Sequence, residues 1–177
     1  MKSLKVLFLI SAAILFISCE TRGPLTDAEY VAECIKGDGV FIINEGNYLA
    51  GNGALSFYSY STGKIFNNIF TLANGRPLGD VPNSMVISGN NGYIVVNNSG
   101  RIEVVEKNTL LSIKTINDLV SPRNILPVSG TKAYVSSLYS NSITIIDLLA
   151  NSVSGKIDIR RSSEAMVLAG DKAYVSS

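Results

Sequence analysis

The stretch Gly130-Thr131-Lys132-Ala133-Tyr134-Val135-Ser136-Ser137 returns as Gly170-Asp171-Lys172-Ala173-Tyr174-Val175-Ser176-Ser177, and only Thr131 and Asp171 differ. A more diverged copy, Gly89-Asn90-Asn91-Gly92-Tyr93-Ile94-Val95-Val96, stands one repeat earlier, so Tyr93, Tyr134 and Tyr174 are separated by 41 and 40 residues. The alignment extends outward from these turns. Asn83 matches Asn124, Met85 matches Leu126, and Ile102-Glu103-Val104-Val105-Glu106 matches Ile143-Thr144-Ile145-Ile146-Asp147. Gly39-Val40-Phe41-Ile42-Ile43 reads as an earlier copy, followed by an insertion before Leu55-Ser56-Phe57-Tyr58. Self-similarity at a fixed period marks a repeat architecture, because each unit is too small to bury its own apolar faces.

Within a repeat, short runs of Val, Ile and Tyr are bounded by Gly, Asn, Ser and Pro, the pattern of strands and turns. The second repeat predicts strands over residues 84–88, 93–97, 101–106 and 112–116. Four short strands at a period of roughly 40 residues describe one blade of a β-propeller. No amphipathic helical window is evident after Gly37, which argues against a helical solenoid. The expected fold is all-β, a β-propeller of four-stranded blades present as an incomplete arc. The expected boundaries are 1–18 for a signal peptide, 19–38 for a tether and 39–177 for the propeller part. Blades are expected at 39–73 (the last three strands), 81–117, 122–159 and 163–177 (the inner two strands). Such an arc fits a fragment of a seven-bladed ring; the alternative is a short chain that closes by oligomerising.

The chain's start predicts export. Lys2 and Lys5 precede an apolar run over residues 6–17, shorter than the roughly 20 residues a membrane-spanning helix needs. A basic start and a short apolar stretch describe a secretory signal peptide. Leu15-Phe16-Ile17-Ser18-Cys19 resembles a bacterial lipobox, with Phe16 in place of the usual leucine. Cys19 would then take the lipid through its thiolate; the alternative is an ordinary signal peptide with an incidental cysteine. Lipidation of Cys19 leaves Cys34, the only other cysteine, without an intramolecular partner, so Cys34 is expected as a small buried residue. Removing Lys2 and Lys5 changes the balance of 15 basic and 14 acidic residues to 13 and 14, a net charge of −1. With no basic tract, the electrostatic footprint of a nucleic-acid binder is absent.

The Ala-Tyr-Val-Ser-Ser motif resembles the YVTN-type (YncE-like) propeller repeat. Four further segments narrow the likeness: Ile43-Asn44-Glu45-Gly46-Asn47, Asn74-Gly75-Arg76-Pro77-Leu78-Gly79-Asp80, Tyr93-Ile94-Val95-Val96-Asn97-Asn98-Ser99-Gly100 and Leu138-Tyr139-Ser140-Asn141-Ser142. Together they resemble the lipoprotein propellers that accompany outer-membrane uptake systems in gut Gram-negative bacteria. That resemblance implies a lipid-anchored protein exposed on the outer membrane. It further implies cobalamin or a similar corrinoid as ligand, and a TonB-dependent transporter as partner.

Two sets of loops are expected to share one face of the propeller: 74–83, 118–124 and 160–164 entering the innermost strands, and 44–53, 97–101 and 138–141 joining second to third strands. Asn47, Tyr48, Arg76, Asn98, Arg123, Tyr139, Asn141 and Arg161 are the candidate ligand-binding residues. Tyr and Arg bring contact area and charge-assisted donors, and Asn both donates and accepts; the alternative is that the asparagines only serve turns. The chain has no histidine, so Ser-His and Cys-His nucleophile activation and His-based metal sites are missing from it. No enzyme activity, cofactor or metal is expected. Two alternatives stand beside ligand capture: an interaction scaffold in the cell envelope, and a calcium-dependent hydrolase or lactonase using Glu45, Asn97 and Asn124 as oxygen ligands.

The lipobox yields a direct test. Cys19→Ala should abolish incorporation of labelled palmitate and release the protein from membranes; a mutant that still takes the label would refute the lipidation site.

Overall fold

The computed structural model describes residues 25–177, so the lipobox and Cys19 lie outside the described residues. A helix α1 (Asp27–Cys34) comes first, then β1 (Gly39–Asn44), β2 (Ala54–Ser59) and β3 (Ile65–Phe66) as a three-stranded antiparallel sheet. After a second helix α2 (Ile69–Asn74), β4 (Pro82–Ser88), β5 (Asn91–Val96), β6 (Arg101–Glu106) and β7 (Ser112–Ile116) form a four-stranded meander. The next meander is β8 (Pro122–Ser129), β9 (Lys132–Ser137), β10 (Ser142–Asp147) and β11 (Ser152–Asp158). A hairpin of β12 (Met166–Ala169) and β13 (Lys172–Val175) ends the described chain. The four sheets hold three, four, four and two strands in chain order, an incomplete propeller arc.

The blades stack because their strands are apolar on both sides. All five residues of 92–96 on β5 are buried, and the side chains of 93–96 divide between two cores. Ile94 and Val96 join Leu55, Phe57, Ile69 and Phe70 of the first blade and its helix. Tyr93 and Val95 join Ile125, Ala133, Val135 and Ile146 of the third blade. Alternation along a strand, which elsewhere separates core from solvent, here separates one neighbour from the other.

Both helices exceed the strand-only reading. Thr26 and Glu29 form a capping box, with Glu29 N–H donating to Thr26 Oγ1 at 3.3 Å and Thr26 N–H donating to Glu29 Oε2 at 2.8 Å. This satisfies two of the amides left free at the start of α1, and the helix buries Val31 and Cys34. Helix α2 is a short addition to the expected strands and loops, not a long amphipathic window. Its six residues are too few to show a helical period, and it is held by tertiary contacts. Ile69, Phe70 and Ala73 are buried, and Gly75 closes it in the left-handed region (φ 63). The Asn74 amide ties it to the second blade, donating to Leu110 O at 2.9 Å and accepting from Ser112 N–H at 2.7 Å.

One polar cluster lies between the first and second blades. Glu103, in the middle of β6, is fully buried. Arg76, just after α2, grips it with Nη1 to Oε1 at 3.0 Å and Nη2 to Oε2 at 2.8 Å. Arg101 Nε lies 2.9 Å from Oε1, and the Ser112 and Thr115 hydroxyls each donate to Oε2 at 3.2 Å. Hydrogen bonding to Glu103 raises the Arg76 guanidinium above its already high range, against the opposing effect of burial. The guanidinium also sits 5.0 Å from the centre of the Phe70 ring.

Between the second and third blades the equivalent work is done by a tyrosine. Tyr93 Oη donates to Asn151 Oδ1 at 2.7 Å, and lies 3.3 Å from Leu148 O, in the β10–β11 turn. Asp147 shapes that turn, its carboxylate accepting from Leu149 N–H (2.8 Å) and Ala150 N–H (3.0 Å).

Removing Glu103 leaves two partly exposed arginines crowded together. Glu103→Gln should therefore destabilise the fold by about 2–4 kcal/mol, less than the roughly 3–5 of a fully buried broken pair because both arginines are partly exposed, read from denaturant unfolding. The turn makes a second, pH-dependent prediction. The Ala150 and Leu149 amides hold the Asp147 carboxyl below its ordinary value of 3.8. A depressed carboxylate contributes stability that is present above its unfolded value and lost as pH falls through its folded one. The thermal midpoint of Asp147→Ala should thus lie below that of the parent at pH 7, and the gap should close as the pH drops below the ordinary carboxylate range.

Candidate functional site

The crossovers into the innermost strands and the loops between second and third strands meet on one face. Backbone hydrogen bonds join them in each blade: Gly53 N–H to Gly79 O (3.0 Å), Asn97 N–H to Val81 O (2.8 Å) and Leu138 N–H to Ser121 O (3.1 Å). Ser163 N–H to Ser137 O (2.8 Å) continues the series into the last hairpin. Val81 and Ser121 stand at corresponding places, each before the proline that opens an inner strand, and both have positive φ (54° and 41°). For a β-branched valine this is a costly conformation. It turns both carbonyls back onto the neighbouring loop, so the same local strain is used twice to seat a crossover.

Asp80 organises the first sector of this face. Its Oδ2 accepts from Leu49 N–H at 2.9 Å and from the Asn98 amide, and its N–H donates to Ser99 Oγ at 2.9 Å. The 44–53 loop is closed from within by Asn47 N–H donating to Asn52 Oδ1 at 2.8 Å. The loop is therefore fixed, with Leu49 held at φ 64°. Its tip offers Tyr48 (71% exposed) and Leu49 (74%) to solvent. Across the face, the β9–β10 loop offers Tyr139, 78% exposed.

Nearer the axis, the first residues of the inner strands line a hollow of about 170 Å³ bounded by Asn83, Arg123, Asn124, Glu164 and Ala165. Asn83 donates to Glu45 Oε1 at 2.8 Å, and Arg123 Nη2 lies 3.3 Å from Glu164 Oε1. Arg123 Nε is buried and has no hydrogen-bond partner among the described residues. Glu45 and Asn83 thus pair between the first two sheets and Arg123 and Glu164 between the last two, and one donor on Arg123 is unused.

The candidate residues fall into three groups. Tyr48, Tyr139 and Arg161 are exposed on loops of this face, and Arg123 lines the inner hollow. Asn47, Asn98 and Asn141 serve the loops, Asn141 by its carbonyl, which accepts from Ile159 and Arg160 N–H. Arg76 instead points its guanidinium into the seam between blades, at Glu103. Of the proposed calcium ligands, Glu45 is engaged by Asn83. The Asn97 amide donates to Ser121 Oγ at 3.0 Å and Pro122 O at 2.8 Å, and Asn124 lies in the hollow. Among the described residues no three His, Cys, Asp or Glu side chains cluster as metal ligands. Asp80, Asn83 and Glu164 were missed as site residues. Their placement depends on neighbouring blades, although the Gly79-Asp80-Val81-Pro82 punctuation marks a turn where Asp80 could have been singled out.

Solved structures resembling this chain are β-propeller proteins. Hydrazine synthase from Kuenenia stuttgartiensis matches at 20% identity and a TM-score of 0.61, over 76% of this chain and 37% of that one. A functionally unknown protein from Desulfotomaculum acetoxidans matches at 17% and 0.59, over 77% and 45%. The WD40 repeats of RRP9 match at 15% and 0.55, over 75% and 43%. At these identities the likeness establishes the fold alone, and the chain spans less than half the length of each. No curated protein matches. Residues 38–177, from the foot of the first blade to the last hairpin, match the family described as Domain of unknown function (DUF5074), and this β-propeller chain belongs to that family.

Proposed function

We propose that this chain is a lipid-anchored, non-enzymatic protein of the bacterial cell envelope that captures a small molecule on the loop face of its propeller. The observation that carries this reading is the pair of exposed tyrosines, Tyr48 and Tyr139, set on loops fixed by hydrogen bonds to neighbouring segments. Exposed aromatics on rigid loops lose little entropy on binding and offer large contact area. The proposed ligand is cobalamin or a similar corrinoid, passed on to a TonB-dependent transporter in the outer membrane. A broad ring can lie across two tyrosines, and its peripheral amides suit the Asn and Arg side chains of the same face. The resemblance of the repeats supports this ligand. A second reading, a protein-interaction scaffold, draws on Leu49 and Val120, apolar side chains exposed on the 44–53 loop and on the crossover into β8.

Titration of the full-length protein with cyanocobalamin separates the two. The corrinoid reading expects saturable heat at micromolar concentration, and about tenfold or greater weakening in the double variant Tyr48→Ala, Tyr139→Ala, with an unchanged thermal midpoint. No heat at that concentration, or binding indifferent to both tyrosines, would overturn it.

A further inference from the structure

The seams between blades are not filled alike. Glu103 of β6 faces the first blade, and Arg76 from the incoming crossover plugs the seam by pairing with it. One repeat later the position of Glu103 is taken by Thr144 of β10, opposite Lys156 of β11 in the sheet register. The crossover above this seam, residues 117–122, brings no arginine. A cleft of about 340 Å³ remains between the crossover and the third blade.

The cleft has the makeup of a small-molecule site. Its volume lies at the low end of the roughly 300–1,000 Å³ typical of such sites. Leu119, Val135 and Val153 supply apolar wall, and Asp118, Thr144 and Lys156 supply polar groups. Lys156 and Asp118 carry opposite charges on the same cleft but form no ion pair with each other or with any described residue. The roof is also held in place before any ligand arrives. Leu119 N–H donates to Gly100 O at 2.9 Å, Val120 O accepts from Ser137 Oγ, and the Asn97 amide holds Ser121 and Pro122.

We propose that this seam is a binding site for a small aliphatic zwitterion of the α-amino-acid class. Its carboxylate would meet Lys156, its ammonium Asp118, and its side chain the Leu119, Val135 and Val153 wall. The ligand supplies to the second seam the paired charges that Arg76 and Glu103 supply to the first. The site is separate from the tyrosine-bearing loop tips and does not depend on what they bind.

The test is calorimetric titration of the full-length protein with L-leucine, isocaproate and isoamylamine, the last two lacking the ammonium and the carboxylate respectively. Leucine should bind saturably at millimolar concentration or below, and each single-charge analogue at least about tenfold more weakly, a loss of about 1.4 kcal/mol or more. Lys156→Met keeps the aliphatic stem, and Asp118→Asn suits the left-handed backbone at that residue (φ 62). Each should weaken leucine binding by a similar factor without moving the thermal midpoint. Absence of leucine binding, analogues that bind as tightly as leucine, or variants that bind it unchanged would overturn the proposal. The analogue comparison uses the unmutated protein, so it decides the matter even if a variant fails to fold.

Discussion

A sheet that is apolar on both faces must be covered on both, and this requirement governs the whole molecule. β5 shows it most plainly, with Tyr93 and Val95 in one core and Ile94 and Val96 in another. Neither core belongs to a single blade. Each is closed only when two sheets meet, so the stability of a blade lies in its seams. The first blade meets the same demand with helices: α1 and α2 bring Val31, Cys34, Ile69 and Phe70 onto β2 and the second blade. The last hairpin shows the converse, with Val167, Tyr174 and Val175 substantially exposed where no described neighbour covers them.

The seams share an apolar base but differ in their polar fittings. In the first, a buried carboxylate is surrounded by two guanidinium groups and two hydroxyls, and both oxygens of Glu103 accept hydrogen bonds. Such an arrangement adds little net stability over an apolar seam, because desolvating the charges offsets much of their attraction. In the second, the neutral Tyr93 hydroxyl takes over the docking, and the charged pair has no counterpart. Repetition in sequence therefore does not produce equivalent sites: where Thr144 stands in place of Glu103 and the crossover brings no arginine, a cleft is left.

The loop face follows from the same stacking. Each crossover carries the chain from the outer edge of one blade to the inner edge of the next, so all crossovers lie on one side and meet the loops of their neighbours. Strained residues such as Val81 and Leu49 persist there because several hydrogen bonds over-determine their conformation. The cost is borne by the stacked scaffold beneath. A face built in this way can present tyrosines at fixed positions without a helix or a metal to hold them.

The recurrence of Gly, Tyr and β-branched residues at a period near 40 was enough, without coordinates, to establish the blades, their strands and the face on which their loops gather. Strand identity is a local property, set by alternation and turn residues, and repetition makes it legible several times over. Helix α2 was hidden because six residues cannot display a helical period, and contacts from other blades hold it. In the sequence Tyr48, Tyr139 and Arg161, which are exposed on loops, could not be told apart from Arg76, which is turned into a seam. Only the tertiary structure placed Glu103 beside it, 27 residues away in the chain. Which charges are paired inside a seam and which are left facing a cleft depends on how two blades meet, and that is decided by packing across the seam rather than by any local pattern.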